Sequence, residues 1–323
     1  MTPQHRTRIV SVGTSVPDRI MVNKDFESFL DTTDEWITAR TGIKQRHVCD
    51  KNSTMQNSEL GGMAAKIALE KAGYEANDID GIICATFSPD CFFPSTACKI
   101  QNYIGNTTAL AFDVSAACAG FVYALTVANS MIMSGQCKKM LVIGSEMNSR
   151  TLDWTDRTTC ILFGDGAGAV VLEAAENTEG TDRGILSMFL KSNGGLGDIL
   201  YLPAWGEDRF MRMNGNDVYK HAVRLMGDAT EKCLQMAGLS FADVDLLIPH
   251  QANIRIIDAM AKHMHLPKEK IIVNLDRFGN TSSASIPLAL NDAWNDGKIK
   301  PGTLVAFTAL GGGLVWGSVV VRF

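Results

Sequence analysis

The sequence of 323 residues lacks the features that mark several broad classes of protein. Its formal net charge is −5, so the chain as a whole has no positive field of the kind that nucleic-acid-binding proteins use. Its uncharged apolar run near the C-terminus, residues 305–321, is interrupted by the glycines at 311–313 and is too short to span a bilayer. The N-terminal stretch has no apolar h-region, which predicts that there is no signal peptide. We therefore expect a cytoplasmic protein that binds neither nucleic acid nor a membrane.

The eight cysteines are also not spaced along the sequence as metal ligands are. They are not grouped in pairs of the kind that bind metals, and most lie in apolar runs, as reduced and buried thiols do. We expect no metal site and no redox cofactor. The composition of 46% hydrophobic and 20% charged residues is sufficient for a large core and argues against disorder.

An internal repeat organises the chain. The stretch LEKAGYEANDIDGIICAT begins at Leu69 and aligns without a gap with LQMAGLSFADVDLLIPHQ, which begins at Leu234, an offset of 165 residues. Each copy is typical of an amphipathic helix end, a glycine that stops the helix, a polar turn and a buried strand. The helix of the first copy is predicted to begin after a Ser58 cap.

Two further pairs of segments extend the repeat. AFDVSAACAGF and VNLDRFGNTSSASIPLAL each predict a strand, a turn of small residues and a helix, whereas FGDGAGAVVLE and LGGGLVWGSVVVRF each predict a glycine-rich turn and a β-branched strand. The sequence therefore predicts an α/β fold of two pseudo-symmetric halves, residues 1–174 and 175–323. Their sheets would stack with helices between and outside them, and a binding cleft is expected where the halves meet.

Cys118 is the strongest candidate for a reactive side chain. It lies in DVSAACAGF, between a predicted strand and a buried helix, so we expect its sulfur in the first turn of that helix. Unpaired backbone N–H groups and the positive end of the helix dipole favour the thiolate there. His250 follows a predicted strand, and Asn280 lies in the turn equivalent to that of Cys118. A Cys, a His and an Asn that converge in space form a nucleophilic acyl-transfer site.

Six segments between the N-terminal region and the last residue resemble those of one family: DEWITARTGI, DVSAACAGF, FGDGAGAVVL, PHQANIRI, DRFGNTSSASIPLAL and GGGLVWGSVVVRF. In this order they resemble the thiolase-fold condensing enzymes and, among these, the β-ketoacyl-acyl carrier protein synthase III family. The resemblance implies a thiolase-like duplicated fold layered α-β-α-β-α. It also implies the first condensation of fatty-acid synthesis, in which an acyl-CoA primer and malonyl-acyl carrier protein react without a cofactor and release CoA and CO2.

The resemblance implies a role for each catalytic residue. Cys118 would take the acyl group from CoA, and the backbone N–H groups of Cys118 and Gly312 would hold the oxyanion. His250 and Asn280 would then donate hydrogen bonds to the enolate that decarboxylation leaves. A carboxamide suits this role because it donates at any pH.

Binding residues follow from the same resemblance. The CoA adenine would lie between Trp36 and Arg157, Arg40 would meet the phosphates, and Gly215 and Asn253 would line the pantetheine tunnel.

Three basic residues, Lys220, Arg255 and Lys262, would receive the acidic carrier protein. Phe93 would reach into the acyl pocket of a partner subunit, which implies a homodimer, and Leu314 would border that pocket.

Other interpretations stay open at this point. Asn280 could cap the following helix, the glycines at 311–313 could form a plain hairpin, and the basic residues could be solvated surface charges. An enzyme of the same subfamily could load an unusual acyl or aryl starter for a specialised metabolite. A non-catalytic acyl-binding relative is a further alternative, although the Cys, His and Asn are all present.

Overall fold

The computed structural model describes residues 5–176 and 183–323, and within these ranges helices and strands alternate along the chain. The helices are α1 (Asn23–Phe26), α2 (Asp34–Thr41), α3 (Asn57–Ala72), α4 (Thr96–Ile104), α5 (Gly120–Met133), α6 (Gly215–Met236), α7 (Ile254–His263), α8 (Leu275–Phe278) and α9 (Ser285–Asn295). The strands are β1 (His5–Ser15), β2 (Ile20–Val22), β3 (Gln45–His47), β4 (Gly81–Ala85), β5 (Leu110–Val114), β6 (Lys139–Glu146), β7 (Gly166–Glu176), β8 (Gly184–Ser192), β9 (Leu200–Tyr201), β10 (Arg212–Met213), β11 (Leu246–Pro249), β12 (Leu304–Gly311) and β13 (Val315–Arg322).

The two halves contain sheets with the same strand order. The first sheet runs β5-β4-β6-β7-β1, and the second runs β11-β12-β13-β8. In each, a parallel pair (β4 and β6, or β11 and β12) is followed by two antiparallel neighbours. A parallel bridge between Leu247 and Ile271 stands where the second copy of β5 would lie. Because β4 and β11 begin 165 residues apart, as do β6 and β12, the predicted duplication is confirmed.

Five layers stack in the predicted order α-β-α-β-α. The central helices α5 and α9 bury Phe121, Leu125, Ile286 and Leu290 in one apolar cluster with side chains of both sheets. The outer face of the first sheet is covered by α3 and α4, and that of the second sheet by α6 and α7. Burial of both sheet faces explains why the inner strands are almost continuously apolar.

The predicted cap of α3 is wrong. The helix begins at Asn57, and the carboxylate of Asp90, from the loop after β4, accepts hydrogen bonds from the backbone N–H groups of Asn57 (2.7 Å) and Ser58 (3.4 Å). A carboxylate at a helix N-terminus satisfies free N–H groups and interacts favourably with the dipole. The cap therefore comes from a distant loop rather than from Ser58.

The predicted boundary between residues 174 and 175 falls near the end of β7, which continues to Glu176. The second sheet begins with β8 at Gly184, so the boundary itself stays a prediction. None of the helices in the described ranges combines the length and hydropathy needed to cross a bilayer.

The turns that lead into the central helices share an uncommon backbone conformation. Ala117 has a φ of +43° in the 3₁₀ turn Ala117–Ala119, and Ser282 has a φ of +52° in the 3₁₀ turn Ser282–Ala284. Non-glycine residues rarely adopt this region. The two residues are 165 positions apart, so both copies of the repeat have kept the same sharp turn. These two turns carry the candidate site.

Candidate active site

A cavity of about 210 Å³ between the halves brings the three predicted catalytic side chains together. Cys118 comes from the turn before α5, His250 follows β11, and Asn280 precedes the turn into α9. All three side chains line the cavity wall. The repeat explains this convergence, because its two copies bring equivalent ends of their strands and helices to the contact between the halves.

Cys118 is more deeply buried from solvent than the sequence indicated. The residue is 7% exposed and lies in the 3₁₀ turn ahead of α5 rather than in the first turn of the helix. Burial raises the pKa of its thiol to about 12, and this outweighs the opposing effect of a hydrogen bond between the thiol and Ser282. The expectation of a resting thiolate is therefore wrong: the resting group is a thiol, which must lose its proton as it attacks.

The imidazole of His250 is neutral and held in one orientation. Burial lowers its pKa to about 3. Its Nδ1 lies 2.7 Å from the hydroxyl oxygen of Ser285, and that oxygen also accepts a weak hydrogen bond from the backbone N–H of Gln251. The serine hydrogen has no other acceptor among the described residues, so it points to Nδ1 and leaves the ring proton on Nε2. His250 thus has a hydrogen-bond donor for the cavity.

The carboxamide of Asn280 is fixed in the same way. Its Oδ1 accepts a hydrogen bond from the backbone N–H of Ser282 at 2.9 Å. Because a backbone N–H donates to an oxygen and not to an NH2 group, this bond fixes which position of the carboxamide is the oxygen and which is the nitrogen. The NH2 group is left free to donate. The main chain of Asn280 is tied to Leu162 and Gly164 by two further bonds. Asn280 therefore stabilises its turn and also offers a donor to the cavity.

A second cavity of about 630 Å³ opens from the same sulfur. The two cavities share Cys118, Phe163 and Leu200. Gly312 and Cys118 both line the second cavity, and the oxyanion role of Gly312 stays a prediction. Several side chains of this wall were not found from the sequence, since they come from separate loops and short strands with no common motif: Phe87, Tyr201, Leu202 and Met211.

Neither residue predicted for the acyl pocket is among the residues that line these two cavities. Phe93 is 86% exposed on the loop after β4, so its predicted role needs a second chain. Leu314 is fully buried in the apolar cluster between the second sheet and α6. Other side chains of that cluster, such as Met226 and Leu310, do line the first cavity, so the role of Leu314 beside the acyl group stays a prediction.

Trp36 forms the centre of a cationic stack on α2. The guanidinium carbons of Arg40 and Arg157 lie 4.6 Å and 4.8 Å from its ring centre. For an adenine to fit between them, the distance between Trp36 and Arg157 would have to be about twice the ~3.5–4 Å of a single carbon contact. Arg157 must therefore move away from Trp36 for the predicted sandwich to form. Arg157 is tethered at this place by the backbone oxygen and the carboxylate of Asp31.

The remaining predicted binding residues surround the first cavity or the helices beside it. Gly215, Asn253 and Arg255 line that cavity, and the Asn253 side chain also caps α7 by accepting from the backbone N–H of Arg255 at 2.8 Å. Lys220 on α6 and Lys262 on α7 are exposed. The three basic side chains therefore belong to one pair of packed helices, and Arg255 is the one that reaches the cavity.

Comparisons with known proteins agree with this arrangement. The chain matches the family model described as 3-Oxoacyl-[acyl-carrier-protein (ACP)] synthase III over residues 112–194, and the model of the C-terminal part of that family over residues 234–323. A curated relative from Allorhizobium ampelinum, named β-ketoacyl-[acyl-carrier-protein] synthase III, is 50% identical over 98% of this chain and 99% of its own length.

Two solved structures have closely similar folds. The 3-oxoacyl-[acyl-carrier-protein] synthase III of Aquifex aeolicus VF5 superposes with a TM-score of 0.92 at 44% identity, covering 98% of this chain and 100% of the other. The priming β-ketosynthase of the R1128 polyketide biosynthetic pathway has a TM-score of 0.92 at 32% identity, covering 100% of this chain and 98% of the other.

Proposed function

Because the chain belongs to the 3-oxoacyl-[acyl-carrier-protein] synthase III family, we propose that its two-branched cavity condenses an acyl-CoA primer with malonyl-acyl carrier protein. The products are a 3-ketoacyl-acyl carrier protein, CoA and CO2. The enzyme is thus an acyltransferase that makes the first carbon–carbon bond of fatty-acid synthesis. One observation carries the proposal: Cys118, His250 and Asn280 line the same cavity.

In the first half-reaction the Cys118 sulfur attacks the thioester carbon of the acyl-CoA. The oxyanion that forms is held by the backbone N–H groups of Cys118 and Gly312, which line the second cavity together. Such donors are already in place before the reaction, and losing one typically lowers the rate by ~10²–10³. Collapse of the intermediate expels the CoA thiolate and leaves an acyl thioester on Cys118.

In the second half-reaction the malonyl group loses CO2 and becomes an enolate. The Nε2–H of His250 and the NH2 of Asn280 donate hydrogen bonds to its oxygen. Both donors are neutral, and the His250 pKa of about 3 keeps the ring from holding a second proton at physiological pH. The carbanion then attacks the acyl group, and Cys118 leaves as the thiolate.

The two branches of the cavity divide the substrates between them. We assign the first, which Gly215, Asn253 and Arg255 line, to the pantetheine arm shared by CoA and the carrier protein. We assign the second, with its apolar walls of Phe87, Leu202 and Met211, to the acyl primer. Cys118 stands where the two meet, which is where the acyl group is transferred.

We propose that the protein forms a homodimer along the open edge of the first sheet. Strand β5 is the last in the order and has β4 as its neighbour in the sheet. Its residues are half-buried, and the nearby side chains of Phe92 and Phe93 are exposed. A second copy that paired along β5 would cover this edge and bring Phe93 to the partner's acyl cavity. A cytoplasmic location and the absence of a cofactor, a membrane partner and a nucleic-acid partner stay predictions.

Replacing Trp36 by alanine should raise the KM for acetyl-CoA about ten- to a hundredfold and leave kcat nearly unchanged, because stacking on a base is worth ~1–3 kcal/mol. Steady-state kinetics with acetyl-CoA measure the effect. Acetyl-pantetheine has no adenine, so its KM should be the same for the variant and the unmodified enzyme. An equal increase for both substrates would contradict the assignment of Trp36 to the adenine.

The choice of primer separates the proposed function from its alternative. Similarity to the R1128 priming β-ketosynthase keeps open a starter other than a short acyl group. We expect acetyl-CoA and other short acyl-CoAs to label Cys118 fastest in a panel that also contains long-chain and aryl thioesters, with intact-mass spectrometry as the measurement. Fast labelling by an aryl or long-chain starter, with little from acetyl-CoA, would favour the specialised-metabolite function.

A further inference from the structure

Glu146, the last residue of β6, is a fully buried carboxylate that the reaction described so far does not use. Its Oε2 accepts four hydrogen bonds from the loop after β4: from the Thr86 hydroxyl (3.1 Å), the backbone N–H groups of Phe87 and Ser88 (3.2 Å each) and the Ser88 hydroxyl (2.5 Å). Its Oε1 faces the turn into α9, at 3.2 Å from the Ser282 hydroxyl and 2.9 Å from that of Ser283.

The hydrogens around this carboxyl group can be counted. The oxygens of Thr86 and Ser88 accept from other N–H groups, so their own hydrogens are free to point at Oε2. The Ser283 hydroxyl instead lies 2.9 Å from two acceptors, Oε1 and the backbone oxygen of Ala85, although it has a single hydrogen. If Oε1 carries a proton, that proton points at Ser283 and the serine hydrogen points at Ala85. The site therefore accommodates a proton on the oxygen nearest Ser282.

Ser282 connects this carboxyl group to the nucleophile. Its hydroxyl donates to Oε1 of Glu146, and because that uses its single hydrogen, the Ser282 oxygen is left to accept from the Cys118 thiol, its other hydrogen-bond partner. The positive φ of Ser282 and the bond from its N–H to Asn280 hold the hydroxyl in that place. His250 does not offer an equivalent acceptor, since the hydrogen bond from Ser285 leaves the ring proton on Nε2.

We propose that Glu146 accepts the proton of the Cys118 thiol through the hydroxyl of Ser282. As the sulfur bonds to the thioester carbon, the S–H proton passes to the Ser282 oxygen and the Ser282 proton passes to Oε1 of Glu146. The thioester C–S bond then breaks, and CoA leaves as a thiolate that takes a proton from solvent. The inference rests on the proposed function only in taking Cys118 as the nucleophile.

The condensation returns the proton. When the carbanion has attacked the acyl group, Cys118 leaves as a thiolate and recovers its proton from Glu146 along the same path. Over one turnover the carboxyl group gains and loses one proton, and the one proton taken up from solvent is the one on CoA. The relay thus needs no oxidant, reductant or further substrate.

Ionisation of Glu146 gives the relay a dependence on pH. Burial raises the pKa of this carboxyl group to about 7, so the accepting carboxylate is present above about pH 7 and is lost as the pH falls through that value. The titratable groups that face Glu146 from neighbouring elements are the thiols of Cys84 in β4 and Cys118. Burial raises the pKa of both thiols, so both are neutral in this range.

Alkylation of Cys118 by iodoacetamide between pH 5.5 and 9.5 tests the relay without any CoA or carrier protein. In the unmodified enzyme the rate constant, measured by peptide mass spectrometry, should rise with pH through about 7 and then level off. In Glu146→Gln and in Ser282→Ala the step near pH 7 should disappear, and the rate at neutral pH should fall by about 10²-fold, the lower range for loss of a general base.

The control is Glu173→Gln, which changes another carboxylate of the same sheet that is hydrogen-bonded to a hydroxyl, that of Tyr74. It should keep the full profile. Ser282→Ala leaves the hydrogen bonds to Oε2 in place, so it tests the relay even if Glu146→Gln does not fold. A uniform loss of rate with the step near pH 7 preserved, or unchanged alkylation in both variants, would overturn the proposal. Neither outcome depends on which acyl-CoA is the primer.

Discussion

Replacing Cys118 by serine should lower the rate of acyl transfer from acetyl-CoA to the protein by at least ~10⁴-fold, the scale seen when a nucleophile is removed. The hydroxyl is nearly the same size, so the cavity and the turn before α5 should be preserved. A serine oxygen, however, is far harder to deprotonate than a thiol, and it would stand in the same dry site that raises the thiol pKa to about 12. Intact-mass spectrometry after incubation with acetyl-CoA measures the acyl-enzyme directly.

Cys137→Ser is the matched control, because Cys137 is also buried but belongs to the apolar cluster between the two sheets and lines neither cavity. It should keep normal acylation, and thermal unfolding of both variants would separate loss of chemistry from loss of fold. Acylation of Cys118→Ser at an appreciable rate, or a stable acyl group found on another residue, would remove Cys118 from its assigned role.

Replacing Asn280 by alanine should separate the two half-reactions. Acylation of Cys118 does not use the Asn280 amide, so the acyl-enzyme should form at close to the normal rate and accumulate. Release of CO2 from malonyl-acyl carrier protein should fall by ~10²–10³, as expected when one donor to a developing oxyanion is lost. Intact mass follows the first step, and CO2 release from labelled malonyl-acyl carrier protein follows the second.

Asn295 offers a control, since it is an exposed asparagine at the end of α9 and is not among the residues that line either cavity. Asn295→Ala should leave the rate of decarboxylation unchanged. Because the Asn280 side chain also holds the backbone N–H of Ser282, a parallel loss of both half-reactions in Asn280→Ala would indicate that its main contribution is to the shape of the turn.

The repeat is the reason that so much of this fold and site could be predicted from one sequence. Glycine stops, apolar strands and turns of small residues are local signals, and they recur at the same offset in both halves. In a duplicated fold, the turn that carries Cys118 and the turn that carries Asn280 occupy equivalent positions in the two halves. His250 follows β11, the equivalent of β4, so it is expected near the same contact between the halves. The convergence of Cys118, His250 and Asn280 could therefore be predicted from the sequence.

What could not be predicted depends on contacts between distant segments. The cap of α3 comes from Asp90 rather than Ser58, and the pKa of Cys118 depends on burial by both halves rather than on its helix. Leu314 was placed at the acyl pocket by resemblance alone, and its full burial depends on contacts with other segments that no local pattern shows. The hydroxyls around Glu146 are contributed by two separate loops, and no local spacing joins them.

The paired positive φ angles at Ala117 and Ser282 bear on how such an enzyme could arise. An ancestral protein that consisted of one lobe and formed a symmetric dimer would have had the same sharp turn in each subunit, related by the twofold axis. After duplication and fusion of its gene, the sequences of the two turns could change independently. By register, the position of the sulfur in one lobe is occupied by Ser283 in the other, so one turn carries the attacking atom and its twin carries the hydroxyls that face Glu146.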